Sequence, residues 1–192
     1  MIVSWNFYYA RPGNEYAVLQ QRIQASDVRQ RLDLPRGRII SKIKGSLHWP
    51  DVAWHLDFPD MKAQDADMKV RADSPEFEAI RIGMRQLYRR FERPLYAPVS
   101  IDNATKPGAT SPQQNLMIYG LYCEESACAA VRATLIMQPA VEFISGGADV
   151  PRFIVESAET GLSPALLAQL GQLPLRIEGS LCRIAHLPSD II

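Results

Sequence analysis

The chain has 192 residues, 47% of them apolar and 22% charged, a balance that supports one large core or two modest ones and excludes a largely disordered polypeptide. Lysine plus arginine and aspartate plus glutamate both total 21, so no net charge draws the chain to nucleic acid or anionic lipid. No run of about 18 apolar residues is present to span a bilayer, and Met1 to Ala10 lacks the basic leader and cleavage site of a secretory signal, so a cytoplasmic protein without membrane or nucleic-acid partners is expected.

Ile2 to Tyr9 is rich in β-branched and aromatic residues and stops at Arg11-Pro12-Gly13-Asn14, which predicts a strand and a turn. Asn14 then caps a helix over Glu15 to Leu32, with Tyr16, Leu19, Ile23, Val28 and Leu32 inward and the arginines and glutamines on the other face. Arg38 to Trp49 reads as a second strand with Gly45 at a bulge, and Val52 to Phe58 as a third, joined at Trp49-Pro50-Asp51. Asp73-Ser74-Pro75-Glu76 opens a helix, capped by Asp73, whose stripe Phe77, Ile80, Met84, Leu87 and Phe91 runs about four turns to Arg93-Pro94. Leu95 to Ile101 is a fourth strand, placed at a sheet edge because Pro98 cannot donate to a ladder.

The second half follows a linker, residues 102–114, that is rich in proline, glycine and small hydroxyl residues. Asn115 to Cys123 predicts a strand and Glu124 to Gln138 a helix; Val141 to Ser145 and Arg152 to Ser157 form strands flanking Gly146-Gly147. Ser163-Pro164 opens a last helix and Leu175 to His186 is the closing strand. The order is β-α-β-β-α-β twice, with Ser-Pro opening the second helix of each half. The expectation is an α+β protein of two tandem ferredoxin-like βαββαβ modules, residues 1–101 and a smaller 115–192, with antiparallel sheets packing face to face. A likeness between Lys42 to Leu47 and Arg176 to Leu181 joins non-equivalent strands and is set aside as coincidence.

The stretch from Val52 through Asp60 to Asp73-Ser-Pro-Glu-Phe-Glu-Ala79, followed by an apolar helix, resembles the dimeric α/β-barrel superfamily, which includes antibiotic-biosynthesis monooxygenase-like and EthD-like proteins. The resemblance covers most of residues 1–101 by motif and the remainder only by element order. It implies that two sheets close a barrel, either within this chain by pairing of its own modules or with a second chain in a homodimer; the sequence leaves both open. It further implies a cofactor-independent monooxygenase or isomerase acting on a small planar organic ligand, or else a non-catalytic barrel that binds a hydrophobic ligand or serves in stress. Asn6 corresponds to a polar position used by haem-degrading and quinone-forming members. The haem pattern also wants a histidine in the helix opened by Ser74-Pro75, where this chain has Arg81, and guanidinium does not ligate iron.

Strand alternation puts Val3, Trp5, Phe7 and Tyr9 on one face of the first strand and Ser4, Asn6 and Tyr8 on the other. The candidate catalytic residues are Asn6, Tyr8, His48 and His55, the histidines because an imidazole titrates near neutral pH. Trp5, Trp54 and Phe58 are the candidate substrate-binding residues, lining the space between the sheets against a planar molecule. By the same alternation His48 and Trp49 point opposite ways, as do Trp54 and His55, so not all can share one cavity.

No cofactor and no metal is expected, since phosphate loops, nucleophile elbows and metal-ligand spacings are missing and the three cysteines, Cys123, Cys128 and Cys182, read as reduced thiols. Asp57, Asp60, Asp65, Asp67 and Asp73 read as a solvated acidic helix start in preference to a hard-cation site, and Arg81, Arg85, Arg89, Arg90 and Arg93 as a solvated basic strip in preference to a site for an anionic ligand.

Overall fold

The computed structural model describes residues 1–100, 114–147 and 149–186. In chain order the elements are β1 (Ile2–Ala10), α1 (Glu15–Arg31), β2 (Arg38–Gly45), β3 (Val52–Phe58), α2 (Met61–Ala72), α3 (Pro75–Leu87), β4 (Tyr88–Glu92) and β5 (Leu95–Pro98). The second half holds β6 (Asn115–Cys123), a 3-10 turn (Glu125–Ala127), α4 (Cys128–Leu135), β7 (Ala140–Ser145), β8 (Phe153–Ala158), α5 (Pro164–Leu170) and β9 (Leu175–His186). The expected linker lies, apart from Gln114, outside the described residues.

All the strands pair antiparallel in the order β3-β2-β9-β6-β8-β7-β5-β1, and β1 pairs back to β3, so the sheet closes into an eight-stranded barrel. β4 and β5 together make one interrupted strand: one edge of β1 is taken by β3, and on the other Val3 and Ser4 meet β5 while Phe7 to Ala10 meet β4. The first half thus runs β4/β5-β1-β3-β2 and the second β9-β6-β8-β7, each with its fourth strand beside its first and its third beside its second.

The joints are β2 with β9 and β5 with β7. This corrects the expected stacking of two separate sheets: the halves are hydrogen-bonded edge to edge, which satisfies backbone groups that open edges would leave unpaired. It also corrects the edge assignment of Pro98. β5 has neighbours on both sides, and Pro98 is tolerated because it faces only Val141 of β7, beyond the last residue paired with β1.

The helices cover the outside. In the first half Tyr8, Val18, Ile39, Val52, Trp54 and Met84 form one layer between sheet and helices, while Leu121, Val131, Leu135, Phe153, Val155, Leu166 and Leu170 do the same in the second. Capping marks the helix starts. Asp60 accepts from the Ala63 amide at 2.8 Å and begins α2, Ser74 accepts from Phe77 at 3.2 Å and begins α3, and Ser163 accepts from Leu166 at 3.2 Å and begins α5. Asp73, expected as the cap of α3, instead ends α2.

Two further expectations fail for stated reasons. The helix expected to reach Phe91 stops at Leu87, because Tyr88 to Glu92 complete the free edge of β1, with Phe91 opposite Tyr8 and Arg90 opposite Tyr9. On α1 the inward face is Val18, Arg22, Ala25, Ser26, Val28 and Arg29, and Tyr16 is exposed, so two arginines point at the sheet.

Gly45 serves the β2–β9 joint. With φ at +133° its backbone lies so close to β9 that a Cβ would meet Ser180 Cα at 2.5 Å. The two look-alike segments are therefore neighbours across this joint, Gly45 opposite Ser180.

Candidate functional site

β1 divides its side chains as the alternation predicts. Trp5, Phe7 and Tyr9 point into the barrel, where Val3, Ile40, Trp49, Tyr96, Leu116, Ile118, Ile154, Cys182 and Ile184 join them in one buried cluster. Trp5, Phe7 and Trp49 contact one another with ring centroids 5.4 to 6.1 Å apart, and the Tyr96 hydroxyl donates to the Pro151 carbonyl at 3.0 Å. The space between the sheets, expected to hold the substrate, is thus occupied in its middle by the chain's own aromatic and branched residues, and Trp5 is one of them.

The even-numbered residues of β1 face the helices. There a cavity of about 190 Å³ opens between β1, α1, α3 and β4. Its apolar wall is Phe77, Ile80 and Met84 from α3 with Tyr88 and Phe91 from β4. Asn6 and Tyr8 supply the floor: the Asn6 amide nitrogen lies 3.4 Å from the Tyr8 hydroxyl as its donor, and the Asn6 Oδ1 is buried without a partner among the described residues. Tyr8 also packs on Phe91 at 5.0 Å.

The polar lining is cationic. Arg22 from α1, Arg71 from the end of α2, Arg81 and Arg85 from α3, and Arg93 all border the cavity, and no carboxylate or imidazole of the described residues does. Arg22 is only 3% exposed; it lies over the Trp54 ring at 4.7 Å, and its Nε has no hydrogen-bond partner. Burial pushes its pKa down from the usual guanidinium value, and Tyr8 beside it pulls back in the opposite direction. Arg71 and Arg29 share the carboxylate of Asp67, Arg71 at 2.7 Å.

The remaining candidates are dispersed. Trp54 packs on the helix side, its indole donating to the Arg36 carbonyl at 2.8 Å, and Phe58 is buried; both border a cleft beside Asn6 and Gln64 that is too narrow for water. His48 is exposed near the end of β2, its Nε2 3.9 Å from Glu178. His55 points into the barrel and stacks on Trp5 at 4.6 Å, where its Nε2 accepts from Arg38 Nε; Arg38 in turn pairs with Glu156. Burial and the neighbouring Arg38 charge lower the His55 pKa well below its ordinary value. The structure therefore brings Asn6 and Tyr8 together and separates them from both histidines.

The arginines were missed as cavity residues because, on α1, apolar positions suggested a different inward face. A signal was present in the 4-3-4 spacing of Val18, Arg22, Ala25 and Arg29. Asp60 and Asp73 stand at the two ends of α2 and Asp67 pairs with Arg29 and Arg71, and no group of three or more His, Cys, Asp or Glu side chains is gathered for a metal among the described residues. Cys123, Cys128 and Cys182 are free thiols, and no described helix is long and apolar enough to cross a membrane. A more open hollow in the second half, bordered by Tyr122, Phe143, Val150 and Arg152, has an ion-paired arginine, Arg152 lying 2.9 Å from Glu125.

The fold is one seen in solved structures. An anthrone oxidase-like protein superposes with a TM-score of 0.60 at 8% identity, over 98% of this chain and 95% of its own. A candidate monooxygenase from Lactobacillus acidophilus gives 0.56 at 7% identity, over 96% of each chain. Another from Fusobacterium nucleatum gives 0.57 at 6% identity, over 97% of this chain and 93% of its own. These likenesses show the fold, an α+β barrel. No family model and no curated protein matches the sequence.

Proposed function

We propose that this chain is a cofactor-independent monooxygenase acting on a small planar organic substrate bound in the helix-side cavity of its N-terminal half. The observation that carries the reading is the pairing of Asn6 and Tyr8 on the floor of a cavity walled by Phe77, Tyr88 and Phe91. Flat aromatic walls hold a ring by stacking, and the few polar groups fix its orientation. The strand order repeated in the two halves supports reading them as a tandem duplication of one βαββαβ module, with the barrel closed within the chain.

The chemistry follows from what borders the cavity. An isomerase would need a group that takes a proton from one carbon and returns it to another, and no carboxylate or imidazole of the described residues borders the cavity. Oxygenation of an electron-rich substrate asks less of the protein: an activated CH2 reacts with dioxygen to give a carbonyl and water, with dioxygen as the four-electron oxidant. The activated CH2 loses its proton to solvent, and the protein's part is to stabilise the resulting anion, for which Arg22 is placed, and to orient its oxygens. Asn6 Oδ1 accepts from a substrate hydroxyl and the Tyr8 hydroxyl donates to a substrate oxygen.

The test is oxygen uptake with a panel of anthrones, which carry the activated CH2, followed together with quinone absorbance. Tyr8→Phe and Asn6→Ala are each expected to lower kcat by roughly tenfold or more while the fold is retained. His48→Ala leaves turnover unchanged, since His48 is exposed near the end of β2. Tight binding of the panel without oxygen uptake would favour the alternative, a ligand-binding barrel without catalysis.

A further inference from the structure

The charge of the cavity goes beyond what holding a flat molecule requires. Among the described residues, five arginines border it and no acidic side chain does. Two of the five are neutralised, Arg71 by Asp67 and Arg81 by Glu78. Arg22, Arg85 and Arg93 make no ion pair among the described residues.

Arg22 is the informative one. Its position on α1 is 3% exposed and its Nε is buried and unpartnered among the described residues, while the rest of the guanidinium meets the Tyr8 hydroxyl and, at a long 3.4 Å, Ser26 Oγ. A buried guanidinium with unused donors is costly unless something anionic meets it. Beside it the Asn6 Oδ1 is likewise buried and unpartnered. Arg85 and Arg93 are exposed, so they stand toward solvent, and Arg93 lies over the Phe91 ring at 5.4 Å. The arrangement is a buried cation with further cations toward the opening, separated by aromatic surface.

Resting on the binding reading above, we infer that the ligand of this cavity is an aromatic oxyanion, a small flat molecule bearing a carboxylate or ionised phenol that is received by Arg22, with Arg85 and Arg93 drawing it in. Guanidinium suits this because its planar fork matches a carboxylate and its face stacks on rings. The size follows from the volume, about 190 Å³, which is below the roughly 300 to 1,000 Å³ of common ligand pockets. Asn6 Oδ1 accepts from a hydroxyl on the same ring, so a hydroxylated aromatic acid fits the site best.

The experiment is calorimetric titration of the full chain with 2-naphthoate and with its neutral counterpart 2-naphthamide. The naphthoate is expected to bind roughly tenfold or more tightly, with an affinity that falls as sodium chloride is raised. Arg93→Gln and Arg85→Gln, which sit at exposed positions, reduce the preference, and Arg22→Gln abolishes it. Naphthamide affinity, unchanged across the variants, shows that each still folds with its cavity intact. Equal affinity for the two probes overturns the charge inference and leaves the planar-ligand reading standing. Failure of both probes, with neutral anthrones still oxidised in a Tyr8-dependent way, also overturns the inference alone. Failure of both probes and of oxygen uptake overturns the inference and the proposed function together.

Discussion

His55 stands where its charge is disfavoured from two directions. The ring is stacked on Trp5 inside the barrel and receives the Nε–H of Arg38, so the neutral imidazole carries its own proton on Nδ1. Because its folded-state pKa lies well below the usual 6.5, the unfolded chain binds more protons than the folded one once the pH falls under that value. Stability is therefore undiminished above pH 6.5 and is lost as the medium is acidified, with a slope reaching about 1.4 kcal/mol per pH unit for one proton. Asp57, its pKa raised by burial, acts with the opposite sign, so the His55 contribution is read from the difference between the wild type and a His55 variant. Urea denaturation between pH 5 and 7 should show the decline, and His55→Gln should flatten it; an unchanged profile in the variant would mean that other groups cause the loss.

Residue identities made some of this legible in advance. The alternation of β1 separated Trp5 from Asn6 and Tyr8 without error, because a buried strand has only two faces to offer. The alternation also separated His55 from Trp54. What it could not say was which face carried the cavity, since every residue of β1 is buried and both sides read as core. Arg22 and Arg29 were placed on the wrong face of α1 for a related reason: long charged side chains are assigned to solvent by default, and here Trp54 and Asp67 give them partners inside.

At the level of elements, the surest sequence signals were chemical punctuation. Ser74-Pro75 and Ser163-Pro164 start helices because proline fits the first helical turn and the serine hydroxyl satisfies an amide left open there. Ser74→Ala should lower stability by about 1 kcal/mol, measured by chemical denaturation, and Ser74→Asp should restore most of it. A loss of much less than this would show that Pro75 and the apolar face of α3 fix the helix start unaided. The end of α3 was misplaced because Met84, Leu87 and Phe91 keep helical spacing in sequence while the chain turns into a strand at Tyr88. The choice was made by a distant element, the unfilled edge of β1, which local spacing does not report.

At the scale of the whole molecule, the closed sheet makes each half depend on the other. Separated at the region around residues 102–114, the first half would expose the edges of β2 and β5 and the barrel-facing surface of Trp5, Phe7 and Ile40. Residues 1–101 and 115–192 expressed apart should aggregate or remain poorly structured, and co-expression should return a one-to-one complex on size-exclusion chromatography. Two independently soluble, monomeric fragments would contradict the interdependence. The repeated element order was readable from the sequence; the edge-to-edge closure was not, because backbone pairing between halves leaves no mark in side-chain periodicity.

The two flanks of the barrel are unequal. On the first, Asn6, Tyr8 and a row of guanidinium groups leave room beneath the helices; on the second, Leu121, Val131, Leu135, Phe153 and Leu166 pack the corresponding layer with hydrocarbon. Two identical chains assembled into such a barrel would carry matching binding positions and could communicate between them. A single polypeptide whose second flank holds a packed apolar layer in the equivalent place carries one such position among the described residues, so saturation should be reached at one equivalent of ligand per molecule, along a simple hyperbola with a Hill coefficient of about one.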